Sequence, residues 1–161
     1  YFIMSLASDI VSIATCAKVK ITCAESCTGG MVSVALTDTA GSSAIFEQGF
    51  ITYSNTAKTK TLGVSSRTIK TTGAVSEPVA KEMASGALLT SGADIAVSVS
   101  GVAGPGGSEF KPEGRVCFGL ATSHKVFSET VEFGAIGRAK VRKAATNHAL
   151  KLIFDYLKKA Y

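Results

Sequence analysis

The chain has 161 residues, of which 46% are hydrophobic and 18% are charged, and its formal net charge is +5. These values predict one folded domain with a proper core and argue against a disordered or fibrous protein. No stretch approaches the roughly 18 consecutive apolar residues that cross a bilayer, and the N-terminus lacks a secretion-signal pattern. We therefore expect a cytoplasmic protein with no membrane contact.

Helical and extended patterns alternate along the chain. Apolar residues at helical spacing from Leu6 to Ala17 predict a first helix, and Val19 to Thr37 predicts a strand, a glycine turn and a second helix. The further predicted elements are a loop at 38–43, a strand at 48–54, helices at 55–62 and 76–91, strands at 95–100, 115–122 and 126–133, and a helix at about 137–159. This order predicts an α/β fold, a three-layer α/β/α sandwich with a mixed sheet in a single domain. We expect residues 4–161 to form that domain, with residues 1–3 as a remnant of expression.

The first glycine turn is the most informative segment. Between Val19 and Gly30 a β-branched run gives way to small hydroxyl residues and glycines just before a helix. Because the N–H groups of a helix N-terminus favour an anion, Ser26, Thr28, Gly29 and Gly30 could hold a phosphate or a carboxylate. An ordinary capped turn with no ligand fits the segment equally well.

The histidines do not suggest a catalytic triad. The chain has two, His124 at a predicted hairpin turn and His148 in the last helix, and both fit surface or core positions. A serine nucleophile would then need a lysine or a tyrosine as its base.

One segment offers such a set. Ser43 follows a glycine turn, Tyr53 ends the next predicted strand, and Lys58 lies on the helix after it. The three converge only if the chain folds back at Asn55. A polar turn with a solvated lysine is the alternative.

The loop from Ser100 to Gly107 is rich in glycine. Gly101, Gly104, Gly106 and Gly107 allow close backbone approach, so their N–H groups could serve as anion or oxyanion donors. A tight connection without a ligand is the alternative.

Cysteine spacing and terminal charge argue against two further classes of site. Cys16, Cys23, Cys27 and Cys117 lack zinc-site spacing, so we expect no metal and four buried free thiols. The last segment is basic but has no aromatic platform for stacking bases, which argues against nucleic-acid binding. We expect one or two of these basic residues to reach a phosphorylated ligand and the rest to be solvated, and these are Arg138, Lys140, Arg142, Lys143, Lys151, Lys158 and Lys159.

Four motifs in a fixed order carry a family resemblance. They are AESCTGG at 24–30, GSSAIFEQGFITYSNTAK at 41–58, GAVSEPVA at 73–80 and SVSGVAGPGG at 98–107. The chain resembles the nicotinamide-nucleotide amidase family, which also forms the C-terminal domain of CinA, the competence/damage-inducible protein. The likeness runs from about Thr22 to the last helix.

This resemblance implies an amidohydrolase that converts nicotinamide mononucleotide to nicotinate mononucleotide and ammonia, in pyridine nucleotide recycling. It implies no cofactor and no metal. It assigns Ser43 as the nucleophile, with Tyr53 and Lys58 as the groups that activate it. The partner is then a small-molecule substrate, and we expect a homo-oligomer.

The resemblance also implies binding residues. Ser26 and Ser100 would bind substrate or the tetrahedral oxyanion, and Arg138 would hold the 5′-phosphate. Relatives carry an acidic residue near Ala135 or Gly137, where this chain has small residues. The alternative function is a catalytically idle domain that binds a phosphorylated ligand and has a regulatory or competence role.

Overall fold

The computed structural model describes residues 2–108 and 110–161, with side chains from Ser5 onward. Six α-helices form in this part of the chain: α1 (Phe2–Ala17), α2 (Met31–Thr37), α3 (Asn55–Leu62), α4 (Ser66–Thr72), α5 (Glu77–Ser91) and α6 (Arg138–Ala160). The strands are β1 (Ile21–Glu25), β2 (Phe46–Ile51), β3 (Ile95–Gly101), β4 (Arg115–Thr122) and β5 (Val126–Glu132). Within these residues no helix has both the length and the apolar character needed to cross a membrane.

The strands form one mixed sheet in the order β2-β1-β3-β4-β5. Strand β1 runs parallel to both β2 and β3, whereas the pairs β3–β4 and β4–β5 are antiparallel. Glu25, the last residue of β1, pairs with Ile51 and with Val99 near the ends of the two neighbouring strands. The carboxyl ends of the three parallel strands therefore meet at one edge of the sheet, where ligands bind in open α/β sheets.

Helices cover both faces of the sheet. Helices α1, α2 and α6 pack together on one face, and α3, α4 and α5 pack together on the other. Strand β1 is buried along its whole length and β3 along nearly all of it, as expected for strands covered on both sides. The predicted three-layer α/β/α sandwich is confirmed.

Two elements differ from the sequence prediction. Helix α4 was not predicted, because SRTIKTT has no apolar stripe, although Ser65 caps it by accepting from the Thr68 N–H at 3.4 Å. Strand β2 begins two residues earlier than predicted and ends at Ile51. It ends early because Ser54 caps α3, accepting from the Ala57 N–H at 3.0 Å.

Three of the four cysteines are buried as predicted. Cys23, Cys27 and Cys117 lie in the core, whereas the predicted burial of Cys16 is wrong, since it is exposed on α1. Helix α1 also begins at Phe2, so the backbone of residues 2 and 3 continues the first helix.

Helices α3 and α5 approach each other closely at Gly86. A Cβ on Gly86 would collide with the carbonyl oxygen of Leu62, the last residue of α3. The missing side chain therefore lets α3 lie directly against α5.

Candidate active site

A cleft of about 280 Å³ lies where the parallel strands end. Ser26 enters it directly after β1, Tyr53 and Lys58 reach it from the segment after β2, and Ser100 belongs to the end of β3. The glycine-rich loop that follows β3 and Arg138 at the start of α6 complete the lining. Four distant parts of the chain thus contribute polar groups to one cavity.

Lys58 is the central buried charge-bearing group of this cleft. Its side chain is 1% exposed, and its Nζ lies 3.0 Å from the Oγ of Ser26. The same Nζ donates to the carbonyl oxygens of Thr52 at 3.0 Å and Tyr53 at 3.1 Å. Three oxygens therefore surround the amine, and one of them is a serine hydroxyl.

The position of Lys58 follows from the local helix geometry. Helix α3 begins at Asn55, so Lys58 lies in its first turn. Side chains of a helix tilt toward its N-terminus, which directs the lysine back onto the two residues that precede the helix cap.

Tyr53 lies at the mouth of the cleft and contacts Arg138. The Arg138 Nη2 donates to the Tyr53 hydroxyl oxygen at 3.0 Å, and its Nη1 donates to the Gly104 carbonyl at 2.7 Å. The tyrosine side chain is 59% exposed. Because guanidinium carries five N–H donors, Arg138 retains donors for a ligand after making both contacts.

The first helix after β1 receives a protein carboxylate at its N-terminus. Glu25 is fully buried, and its Oε1 accepts from the N–H groups of Gly30 at 3.2 Å and Val32 at 2.9 Å. Its Oε2 accepts from the N–H of Ser33 at 3.0 Å and from the Ser33 hydroxyl at 2.8 Å. Glu25 therefore takes the Gly30 N–H, one of the groups expected to hold a phosphate, and the Gly29 N–H donates to the Ser26 carbonyl at 3.0 Å.

This arrangement corrects the predicted anion site. Thr28, Gly29 and Gly30 do not line the cleft, and of the predicted set in this turn Ser26 alone does. Arg142 covers the turn from outside, donating to the carbonyls of Cys27 at 3.0 Å and Thr28 at 3.2 Å. The sequence pattern did not single out Glu25, although a carboxylate at the end of a buried strand was a usable signal.

Ser43 does not reach the cleft. It lies exposed in a short 3₁₀ turn, Ser42–Ala44, just before β2 begins, whereas Tyr53 follows the other end of that strand. The six residues of β2 span about 20 Å at ~3.3 Å per residue. The predicted convergence of Ser43 with Tyr53 and Lys58 is therefore wrong, and Ser26 occupies the place next to the lysine.

Ser100 lines the cleft, but its hydroxyl hydrogen already forms a hydrogen bond within the protein. Its buried hydroxyl donates to the carbonyl of Ala74 at 2.8 Å, so its oxygen faces the cavity as an acceptor rather than as an oxyanion donor. The bond ties the end of β3 to the segment before α5.

The glycine loop is shaped by Glu113. Gly104 has a φ of 91°, and a Cβ there would collide with the Glu113 carboxylate, which accepts from the Gly106 N–H at 3.1 Å. Gly101 has no room for a side chain either, because a Cβ would meet Val116. All four predicted glycines, Gly101, Gly104, Gly106 and Gly107, line the cleft with their backbone.

Other nucleophiles and bases are poorly placed. Cys27 lines the cleft beside Ser26, but burial raises the pKa of its thiol to about 11, so it is protonated at neutral pH. His148 contacts Glu129 and lies against the Phe118 ring, with ring centroids 4.5 Å apart and the planes tilted by 47°. Among the described residues that line the cleft, neither histidine appears, which leaves Lys58 and Tyr53 as the candidate bases; of the two, Lys58 is the one in contact with Ser26.

Comparison with known proteins places the chain in a family. The family model described as the CinA C-terminal domain matches residues 3–157. The chain is 48% identical over 154 residues to the nicotinamide-nucleotide amidohydrolase PncC of Escherichia coli (strain K12), which covers 95% of this chain and 93% of that relative. It is 49% identical over 142 residues to a CinA-like protein of Chloroherpeton thalassium, covering 83% of this chain and 34% of that relative. The chain thus spans nearly the whole of the first relative and about a third of the second.

Solved structures give the same placement. The crystal structure of the competence/damage inducible protein CihA from Agrobacterium tumefaciens superposes with a TM-score of 0.94 at 42% identity, over 98% of this chain and 96% of that one. A competence damage-inducible protein A from Klebsiella pneumoniae superposes with a TM-score of 0.95 at 34% identity, over 99% of each chain. Both the model match and the close relatives show that the chain belongs to the CinA C-terminal domain family.

Proposed function

We propose that the protein is an amidohydrolase that converts nicotinamide mononucleotide to nicotinate mononucleotide and ammonia, with Ser26 as its nucleophile. The contact of 3.0 Å between Ser26 Oγ and Lys58 Nζ carries the proposal. The names of the PncC relatives, which cover most of this chain, support the substrate.

The two carbonyl contacts of Lys58 favour proton transfer from Ser26. A neutral amine has two hydrogens and one lone pair. The carbonyls of Thr52 and Tyr53 can accept those two hydrogens, and the lone pair of the neutral amine can then accept the hydrogen of the Ser26 hydroxyl, 3.0 Å away. Lys58 can then take the hydroxyl proton as Ser26 Oγ attacks the carboxamide carbon.

The remaining steps need a proton donor and water. Attack gives a tetrahedral oxyanion, which collapses when the Lys58 ammonium returns its proton to the departing nitrogen and ammonia leaves. Water then hydrolyses the Ser26 ester, with Lys58 again as base, to release nicotinate mononucleotide and the free serine. Tyr53 lines the same cleft, and its hydroxyl hydrogen can stabilise the oxyanion or the leaving group.

Arg138 supplies the charge that a 5′-phosphate requires. It stands at the mouth of the cleft with donors remaining beyond its contacts to Gly104 and Tyr53. A guanidinium forms strong charge-assisted bonds to phosphate. We assign it to hold the mononucleotide so that the carboxamide reaches Ser26.

The test compares two serines. Ser26→Ala should lower the rate of ammonia release from nicotinamide mononucleotide by about 10³-fold or more, because it removes the nucleophile. Ser43→Ala is the matched control, since it deletes an exposed hydroxyl at the opposite edge of the sheet, and it should keep the rate of the unsubstituted protein.

Two outcomes would contradict the proposal. Equal activity of the Ser26→Ala variant would show that Ser26 is not the nucleophile. Absence of ammonia release from the unsubstituted protein, with the mononucleotide still bound, would favour the idle phosphorylated-ligand domain.

A further inference from the structure

A second and larger cavity lies beside the cleft and is lined by α3, α4 and the loop before β4. Its volume is about 890 Å³, within the range of roughly 300–1,000 Å³ that small-molecule sites occupy. Asn55 lines both cavities, and Gly73 in the larger one directly precedes Ala74 in the cleft. The two cavities therefore adjoin without sharing Ser26 or Arg138.

The charge of this cavity is positive. Lys60 of α3, Lys70 of α4 and Lys111 of the loop before β4 all line it, and no carboxylate does among residues 2–108 and 110–161. Lys60 and Lys70 are exposed and form no ion pair within those residues. Three like charges around one concavity attract an anion.

Lys111 is held in place over the cavity. Its Nζ donates to the carbonyl of Thr72, the last residue of α4, at 3.3 Å. One hydrogen of the ammonium is used in this way, and the other two can point to a ligand. The contact fixes a cation at the rim without cancelling its charge.

The cavity also offers apolar surface. The half-buried Ile69 and the exposed ring of Phe110 line it together with the lysines. A flat aromatic ring can lie against such side chains, while phosphate oxygens take the ammonium groups. This combination of surfaces suits a phosphorylated ligand that carries an aromatic base.

We propose that this cavity is a second binding site, separate from the cleft, which takes a nucleotide through Lys60, Lys70 and Lys111. Because Lys58 and Lys60 lie on the same short helix, an occupant would press on the helix that carries the candidate base. The site therefore has the position of a regulatory site for the adjoining cleft.

The test measures binding without turnover, so its failure is distinguishable from failure of the proposed function. Adenosine 5′-monophosphate is titrated into the protein by isothermal calorimetry, with adenosine and inorganic phosphate as separate arms. We expect adenosine 5′-monophosphate to bind at least about tenfold more tightly than adenosine or phosphate. Adenosine alone lacks the contacts to the lysines, and phosphate alone lacks the contacts of the aromatic base. The double variant Lys60→Ala/Lys70→Ala should bind it at least about tenfold more weakly.

A matched control removes the same charge elsewhere. The double variant Lys143→Ala/Lys159→Ala alters exposed lysines of α6, on the opposite face of the sheet, and should bind as the unsubstituted protein does. Equal weakening in the two double variants, or no binding to the unsubstituted protein, would overturn the proposal. Weakening of adenosine 5′-monophosphate binding by Arg138→Ala as large as that in Lys60→Ala/Lys70→Ala would also overturn it, since Arg138 lines the cleft and not this cavity. Phosphate that binds as tightly as the nucleotide would overturn the nucleotide assignment.

Discussion

Ser26 and Lys58 are 32 positions apart in the chain, yet their side chains meet at 3.0 Å inside the cleft. Ser26 follows a buried central strand and Lys58 lies in the first turn of a short helix. The contact depends on the parallel pairing of β1 with β2, which brings the two strand ends together.

The base role of Lys58 can be separated from its hydrogen-bond donation. Lys58→Arg places N–H donors in the cleft but cannot accept a proton at neutral pH, and Lys58→Met removes the amine while keeping much of the length. We expect both variants to lose about 10²–10⁴-fold in kcat for nicotinamide mononucleotide. Steady-state ammonia release checks this, with thermal denaturation to confirm folding. An arginine variant with near-normal kcat would refute the proton-transfer role.

The phosphate role of Arg138 is tested with two substrates. Arg138→Ala should raise KM for nicotinamide mononucleotide by about 10- to 100-fold, which corresponds to the loss of a charge-assisted bond. Nicotinamide riboside lacks the phosphate, so its kcat/KM should change much less. A similar loss for both substrates would mean that Arg138 acts through Tyr53, which it contacts at 3.0 Å, and not through the phosphate.

Replacing Glu25 should disturb the turn that carries Ser26. Glu25→Gln replaces one carboxylate oxygen by an amide N–H₂, which donates and cannot accept. The buried N–H groups at the start of α2 that donated to that oxygen then lose their acceptor. We expect a loss of about 2–4 kcal/mol in the free energy of unfolding, measured by urea denaturation, and a lower kcat.

The matched control for Glu25 is Glu82. Glu82 lies on α5, outside the lining of the cleft, and accepts from the N–H of Ser65 at 2.7 Å and from the Thr68 hydroxyl at 2.6 Å at the start of α4. Glu82→Gln should leave kcat unchanged and destabilise the protein less. Unchanged stability and kcat in Glu25→Gln would show that the carboxylate charge is not needed there.

Cys27 should react slowly with alkylating agents despite lining the cleft. Burial raises the pKa of its thiol to about 11, so about one thiol in a thousand is ionised at pH 8, and the thiolate is the reactive form. Peptide mapping after iodoacetamide treatment should show modification of the exposed Cys16 first. The rate at Cys27 should rise with pH toward 11. Rapid modification of Cys27 at pH 7, with loss of activity, would contradict this assignment.

The sequence predicted the sandwich more accurately than it predicted the site. Alternating helical and extended patterns located most elements, because the apolar stripes of helices such as α5 are regular. Helix α4 was not predicted because its sequence is polar. The one helical signal that it carries is the N-cap residue Ser65. Pattern alone does not reveal an element that is stabilised mainly by its caps and neighbours.

The predicted convergence of Ser43 with Tyr53 and Lys58 failed for a topological reason. Ser43 and Tyr53 are close in sequence, but they lie at opposite ends of β2. Ser26 and Tyr53 follow the carboxyl ends of β1 and β2, and Ser100 lies at the carboxyl end of β3, so all three meet at the edge where ligands bind in such sheets. Strand direction therefore mattered more than sequence proximity.

The bare Cα of Gly86 has a consequence for catalysis as well as for packing. Alanine within a helix normally gains roughly 1 kcal/mol over glycine, but at this position its methyl would push against the carbonyl oxygen of Leu62. Relief of that overlap would displace the α3 helix and draw the lysine amine away from the serine oxygen. A single methyl group between α3 and α5, which touches no ligand, would thus weaken the contact between Lys58 and Ser26.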